Sequence, residues 1–454
     1  MKITKSLFHA GVLGLSLLAT SVMAAVPAAE ADKLGKSLTP MGAEMAGNAD
    51  GSIPAWKPLA KNAGTVDSKG FLSDPYASEK PLFTITAQNV DQYKAKLAPG
   101  QYAMFKRYPE TFKMPVYPSH RGATVPDEVF AAIKKNATAT TLVEGGNGLN
   151  NFQTAVPFPI PKSGLEVIWN HITRYRGGSV TRLVTQATPQ QNGSYSLVYF
   201  QDQFVFRDRM KDYDPNNPGN ILFYFKQEVT APARLAGTVL LVHETLDQVK
   251  EPRKAWIYNA GQRRVRQAPQ VSYDGPGTAA DGLRTSDNLD MYNGAPDRYD
   301  WKLEGKKEMY IASNAYKLDD PKLKYSDILK AGHINQDLAR YELRRVWHVV
   351  ATLKPGQRHI YAKRDFYIDE DTWQAAVIDQ YDGRNQLWRV SEAHAQDYYN
   401  VQVPWYTLET IYDLQSGRYL ALGMKNEEKK SYDFGFSASK ADFQPAALRQ
   451  SGIR

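Results

Sequence analysis

The residues best suited by type to metal ligation or proton transfer are the eight histidines, His9, His120, His171, His243, His333, His348, His359 and His394. No two of them stand in an HxH or HExxH spacing, so the chain spells no zinc constellation. Asp212, Asp214 and Asn216 open with the spacing of a calcium loop. The sixth position, however, is Asn217 where the turn requires glycine, and the twelfth is Phe223 in place of a bidentate glutamate, so the stretch reads as a solvated turn. Ser437-Ala438-Ser439-Lys440 matches SxxK, a four-residue pattern that arises often by chance and here has no companion motif. Asp369, Glu370 and Asp371 contain enough carboxylates for a general acid and base, but their position between two strand-like runs reads better as a hairpin turn. There is no GxSxG, P-loop or dinucleotide fingerprint, and the absence of cysteine removes disulfides, thiolate metal sites and thiol nucleophiles. These residues call for no cofactor, no metal and no catalytic group, and the chain reads as a binding protein rather than an enzyme. The enzyme reading would need polar groups converging in a cavity, for instance His171 or His348 with a carboxylate.

What the chain does supply is aromatic surface. Its 27 Tyr, 17 Phe and 8 Trp suffice to fill a core and also to line a cavity, with Tyr and Trp suited to a mouth that meets water. Plain core packing is the alternative for any one of them. The candidates for an apolar ligand-binding lining are Trp169, Tyr199, Phe206, Tyr224, Trp256 and Tyr258. A register slip of one residue would turn each strand residue to the other face. Arg263, Arg264 and Arg266 are candidates for an anionic headgroup or a partner's acidic surface; the competing use is a sheet edge protected by charge.

Antiparallel strands must position these residues. Runs at 195–200, 203–207, 221–225, 237–244, 255–258, 263–266, 364–368 and 373–380 are β-branched or aromatic and are separated by turn formers such as Asn192-Gly193 and Asp214-Pro215. The predicted product is an α+β fold, mainly β, with a large curved antiparallel sheet covered by helices. Several strands are apolar on both faces, so the sheet is expected to be covered on one side and to enclose something apolar on the other. Ser163-Gly164-Leu165-Glu166 is a capping box that opens a helix whose stripe is Leu165, Ile168, Ile172 and Tyr175. Further helices are predicted over 126–136, with Pro126 at the first helical position, and over 326–339.

The 454 residues are 42% hydrophobic, as in a folded globular protein, and carry a net charge of +8, or +6 without Lys2 and Lys5. Positive and negative side chains alternate along the chain, so nucleic acid is not an expected partner. Lys2 and Lys5 precede an apolar run at 7–19, and Val22-Met23-Ala24 offers small residues for cleavage after Ala24. The run of about 13 residues is shorter than the roughly 20 that span a bilayer, so 1–24 reads as a signal peptide and the product as periplasmic, not an integral membrane protein. Beyond it come a Pro- and Gly-rich segment with short helices wrapping the sheet (25–162), a helix followed by the curved sheet (163–425) and a C-terminal tail (426–454).

Leu38-Thr39-Pro40-Met41-Gly42-Ala43-Glu44, Gly51-Ser52-Ile53-Pro54-Ala55-Trp56, the stretches 112–118 and 157–161, the run 164–177 around Trp169-Asn170-His171, and Tyr367 through Trp373 together resemble an uncharacterised family of Gram-negative exported proteins. That family is described as similar to outer-membrane lipoprotein-sorting proteins of the Lol type. The resemblance implies an incomplete antiparallel β-barrel closed by helices, with an apolar cavity for acyl chains, and a carrier of lipid, lipoprotein or another hydrophobic molecule. It also implies a place in an envelope transport system, with an RND-type exporter or an outer-membrane protein as partner. A non-catalytic adaptor for such a partner is the alternative function, and a periplasmic enzyme the third. The Pro-rich N-terminal segment and a length more than twice that of a Lol carrier depart from that pattern.

Overall fold

Branched and aromatic side chains pack well on a pleated surface, and the runs that carry them form strands. The computed structural model describes residues 25–269 and 271–451, so the expected leader lies outside the described residues. Two antiparallel meanders make up the sheet. The first comprises β1 (Ser179–Ala187), β2 (Leu197–Phe206), β3 (Ile221–Ala231), β4 (Val239–Thr245), β5 (Lys254–Asn259) and β6 (Arg264–Gln267). The second comprises β7 (Tyr299–Ala312), β8 (Tyr341–Leu353), β9 (Lys363–Asp369), β10 (Ala375–Tyr381), β11 (Leu387–Tyr398), β12 (Val403–Asp413) and β13 (Tyr419–Met424). β13 pairs with β1, so the order runs β7 to β13 and on through β1 to β6. Three short strands bring the sheet to 16: Phe83–Ile85 and Met114–Val116 beside β8, and Asp433–Phe434 on β1. Among the described strand pairs of the sheet, only the bridge between Val116 and Tyr341 is parallel. The fold is thus α+β and mainly β, as predicted. Bulges such as Leu303/Gly305, Tyr367/Ile368 and His394/Ala395 bend the strands.

Among the described residues three helices exceed eight residues: α1 (Pro99–Arg107), α2 (Asp127–Ala139) and α3 (Gly164–Thr173). Among the described residues no helix is long and apolar enough to cross a membrane. Ser163 caps α3 as expected, its Oγ accepting from the Glu166 N–H at 3.3 Å, while the Glu166 carboxylate accepts from the Lys162 N–H. α3 is buried on every side, so its stripe understates what it packs. Pro126 caps α2 from outside rather than starting it, and α2 continues to Ala139. The helix predicted over 326–339 shrinks to Tyr325–Ile328 and a single 3-10 turn at Gln336–Leu338, because Gly332, at φ +81°, breaks the run.

Both faces of the sheet are covered. The inner face, defined by α3, packs Phe200, Phe204, Phe223, Phe225, Phe366 and Trp405 against Ile168, Trp169 and Ile172. On the outer face, the N-terminal segment places Ile53, Leu97 and Phe105 over Tyr341, Val377 and Leu408. The tail places Ala438, Phe443 and Leu448 over Tyr224, Leu241 and Tyr258. Within the stretch Leu38–Glu44, Gly42 has a steric reason: it sits at φ +98°, where a Cβ would lie 2.0 Å from the Pro159 carbonyl oxygen. Next to it, the Met41 carbonyl accepts from Trp373 Nε1 at 2.8 Å, fastening the N-terminal segment to the β9–β10 turn.

The interior departs from the sequence expectation. An irregular segment, 271–298, crosses the inner face and reaches both meanders: the Ala279 carbonyl accepts from Gln186 of β1 at 2.6 Å and the Leu283 carbonyl from Arg389 of β11 at 3.1 Å. The space that was expected to be simply apolar is occupied by α3, this segment and a set of buried charges.

Candidate functional site

Segment 271–298 leaves an opening beside the free edge of the first meander. A groove of about 580 Å³ runs between β4–β6 and this segment, with Leu240, Ile257, Ala268 and Val271 on its walls and Arg264 and Arg266 on its rim. Cross-strand register puts Arg266 opposite Ile257 and Ile257 opposite Leu240, which aligns all three on the inner face. Inward, Leu240, Val271, Pro276 and Thr278 also bound a void of about 40 Å³ walled by Phe223, Phe225, Val242 and Arg284. Phe223, Phe225 and Leu289 in turn border a third space of about 20 Å³ beside Arg176, Arg182 and Trp405. The three spaces lie in a row from the sheet edge to the centre.

Asp290 is the centre of the inner charge network. Its carboxylate accepts from Arg174 Nη2 at 2.8 Å, from Trp405 Nε1 at 3.0 Å and from Arg176. Burial would raise this carboxyl, but Arg174 and Arg176 outweigh it and hold the group well below the usual carboxylate range. Arg176 also lies over the Phe204 ring at 4.8 Å, and burial lowers it to about 10. His171 is fully buried and lowered to about 3 by desolvation, so it is neutral. Its Nδ1 lies 3.0 Å from the Trp373 carbonyl and 3.1 Å from the Ala375 N–H, and its Nε2 lies 3.1 Å from the Asp290 carbonyl. Arg182 pairs with Asp202 at 2.7 Å, Arg253 with Glu244 at 2.8 Å and Arg364 with Asp287 at 2.8 Å. Burial pushes Glu409 up to about 7.

The placement of the aromatic candidates follows strand parity. Trp169 and Phe206 face inward, Trp169 donating from Nε1 to the Gly146 carbonyl at 3.0 Å. Tyr199, Tyr224, Trp256 and Tyr258 instead face outward, a correction to the expected lining. Tyr224 and Tyr258 are buried beneath the tail, Trp256 packs on the His243 ring at 4.7 Å, and Tyr199 lies near Tyr325. Their neighbours Phe223, Phe225, Ala255 and Ile257 take the inner positions. Arg263 occupies the exposed β5–β6 turn at φ +51°, apart from the groove that Arg264 and Arg266 rim. Missing from the sequence reading were Leu240, Ile257, Asp202, Asp290 and Arg284. Asp202 and Gln227 carried a signal, being polar residues at inner-facing positions of otherwise apolar strands.

The two acidic stretches read as turns, 212–217 and 369–371, lie at turns. Residues 212–217 form an exposed loop, and the Asp214 carboxylate accepts from the Asn216 N–H at 2.9 Å. Ser439 caps a short 3-10 helix by bonding Asp442. Asp369, Glu370 and Asp371 form the β9–β10 turn yet are buried, with Asp371 paired to Arg121 at 2.8 Å and Arg344 at 3.0 Å, and Glu370 to Arg345 at 3.1 Å. Among the described residues no three His, Asp or Glu side chains are grouped to hold a metal ion.

The chain belongs to the family described as protein of unknown function DUF1329, which matches residues 84–449. It is 79% identical over 455 residues to an uncharacterized protein of Pseudomonas aeruginosa, with all of both chains covered. Among solved structures, it is similar to a putative outer membrane lipoprotein-sorting protein domain from Vibrio parahaemolyticus, with 12% identity and a TM-score of 0.42 over 60% of this chain and 92% of that one. A DUF1329 family protein from Desulfovibrio piger gives 13% and 0.41 over 60% and 92%. A LolA superfamily protein from Nitrosomonas europaea gives 11% and 0.37 over 63% and 98%.

Proposed function

We propose that the chain is a periplasmic carrier or accessory factor that holds a lipid, a lipoprotein acyl chain or another hydrophobic molecule in the groove beside β4–β6. It acts by binding, without a covalent step, and hands its cargo to an RND-type exporter or outer-membrane protein of an envelope transport system. One observation carries this reading: the 580 Å³ groove has an apolar wall of Leu240, Ile257, Ala268 and Val271 and a cationic rim of Arg264 and Arg266. Its volume is that of a small-molecule site, roughly 300–1,000 Å³. Ile257 is 37% exposed there, so apolar surface remains for a ligand to cover. Each Å² so covered contributes about 25 cal/mol.

The test is native mass spectrometry with lipid extraction on mature protein purified from a Gram-negative periplasm. The expected result is a co-purifying hydrophobic molecule that is lost from Ile257→Asp while the melting temperature is kept. Bare chain mass in the wild type would overturn the carrier reading, and crosslinking to an envelope partner would then establish an adaptor.

A further inference from the structure

Arg284 differs from the other buried arginines around the inner face. Arg174 and Arg176 share Asp290, while Arg182, Arg253, Arg364 and Arg389 pair with Asp202, Glu244, Asp287 and Asp413. Arg207, which has no such carboxylate, donates to the Phe152 and Gly219 carbonyls. Arg284 is only 6% exposed, its Nε is buried without a hydrogen-bond partner, and among the described residues no ion pair or side-chain hydrogen bond engages its guanidinium. The charged group lies over Gly277, where a Cβ would come within 3.0 Å of Nε, and it borders the 40 Å³ void. A buried cation with no direct ion pair is a costly feature unless something anionic completes it. Glu409 and Asp202 act on it only from beyond ion-pair distance, and Asp202 is already engaged by Arg182 and Gln227.

We propose that Arg284 is the anion-binding residue of the groove, and that the ligand is a long-chain carboxylate whose head enters the inner void while its chain runs past Leu240 and Val271 to Ile257 at the mouth. This rests on the carrier reading above and assigns its ligand class. The void holds about three waters' worth of space, the size of a carboxylate group. Leu240, Val271, Pro276 and Thr278 border both spaces, so head and chain occupy adjoining sites. Arg264 and Arg266 are exposed, where pairing with an anion is weak and screened by salt. They steer the ligand; Arg284, desolvated and charge-assisted, holds it.

Isothermal titration with laurate and with dodecanol, its uncharged counterpart, tests this on mature protein. Wild type is expected to bind both. Arg284→Gln is expected to weaken laurate by about tenfold or more and leave dodecanol unchanged. Arg284→Lys should restore most laurate binding, and the Arg264→Gln/Arg266→Gln double variant should lose less than about fivefold. Should Arg284→Gln fail to fold, Gly277→Ala, which crowds the guanidinium, is expected to show the same selective loss. Laurate and dodecanol binding that are equally indifferent to these changes would overturn the assignment of Arg284 and leave the carrier reading standing. A larger loss from the rim variant than from Arg284→Gln would put the head at the mouth and overturn it too. Binding of neither ligand by folded wild type would overturn the long-chain carboxylate assignment, and the co-purification test would then decide the carrier reading by itself.

Discussion

Arg174 Nη2 stands 2.8 Å from Asp290 Oδ1, which ties the C-terminal end of α3 to a residue held at φ +53° in the crossing segment. The same carboxylate receives Arg176 and Trp405. One side chain therefore joins the helix, the segment and β12, and the interior is organised by charge as much as by apolar packing.

Removing that charge should be severe. Asp290→Asn keeps the shape but leaves two buried guanidinium groups without their counter-charge, although Arg174 still donates to Gln374 and the His171 carbonyl and Arg176 to the Ile172 carbonyl; breaking a buried pair from one side costs about 3–5 kcal/mol. Urea denaturation is expected to show a loss of that size. A loss below about 1 kcal/mol would mean that the neutral acceptors Arg174 and Arg176 already have suffice without the Asp290 charge.

The tail should matter for stability although it lies outside the two meanders. Phe443 is buried between Lys226, Tyr224 and His243, and its carbonyl accepts from His243 Nε2 at 2.6 Å. Phe443→Ala is expected to cost about 3 kcal/mol. A chain ending at Gly435 should also bind a hydrophobic dye, because Tyr224, Leu241 and Tyr258 lose their cover. Unchanged thermal melting on truncation would show that the outer face needs no cover.

Stability should fall as pH rises through neutrality. Burial pushes Asp379 up to about 8 and Glu392 up to about 7. A carboxyl with a raised folded-state pKa gives stability that is complete below its unfolded value near 4 and is lost as pH climbs through the folded value. Asp397 and Glu409, each raised by burial to about 7, add to the same decline. The melting temperature is therefore expected to drop between pH 6 and pH 9. Asp379→Asn retains an acceptor for the Gly100 N–H, now 3.0 Å away, and removes one titration. It should melt higher than the parent at pH 9 and nearly the same at pH 4 or below, the difference growing between about pH 4 and pH 8; equal slopes for the two proteins would refute the assignment.

The sheet was legible because turn formers punctuate alternating and β-branched runs, and α3 because Ser163 and Glu166 mark its start. Strand parity was not. Phe223, Tyr224 and Phe225 are all large and apolar, so nothing local says that Tyr224 points away from its neighbours; the tail that covers it is about 200 residues distant in sequence. The charged interior escaped for a similar reason: Arg174, Asp290 and Trp405 are brought together only by tertiary structure. Asp369, Glu370 and Asp371 read as a hairpin turn, and nothing local shows that Arg121, 250 residues away in the chain, and Arg344 on the neighbouring strand make their burial tolerable. The groove residues Leu240 and Ile257 are ordinary strand residues whose role appears only beside segment 271–298.

That segment also holds a concentration of unusual backbone. Tyr273, Ala279, Asp281, Asp290 and Met291 all have positive φ between 47° and 66°. Non-glycine residues pay about 1 kcal/mol or more for this conformation, so the contacts of the segment with both meanders must outweigh it. Ala279 provides a clean test because its carbonyl, not its methyl, makes the bond to Gln186. At an ordinary φ, Ala→Gly destabilises through the unfolded state; at φ +50° the sign should invert. Ala279→Gly is expected to raise the melting temperature, whereas Ala279→Val, branched at Cβ, should lower it. Stabilisation by glycine would mean that the segment over the groove is held under strain and that opening it relaxes the chain. A normal helix-like penalty for glycine would mean that residue 279 is unstrained and that the groove wall is as fixed as the strands beneath it.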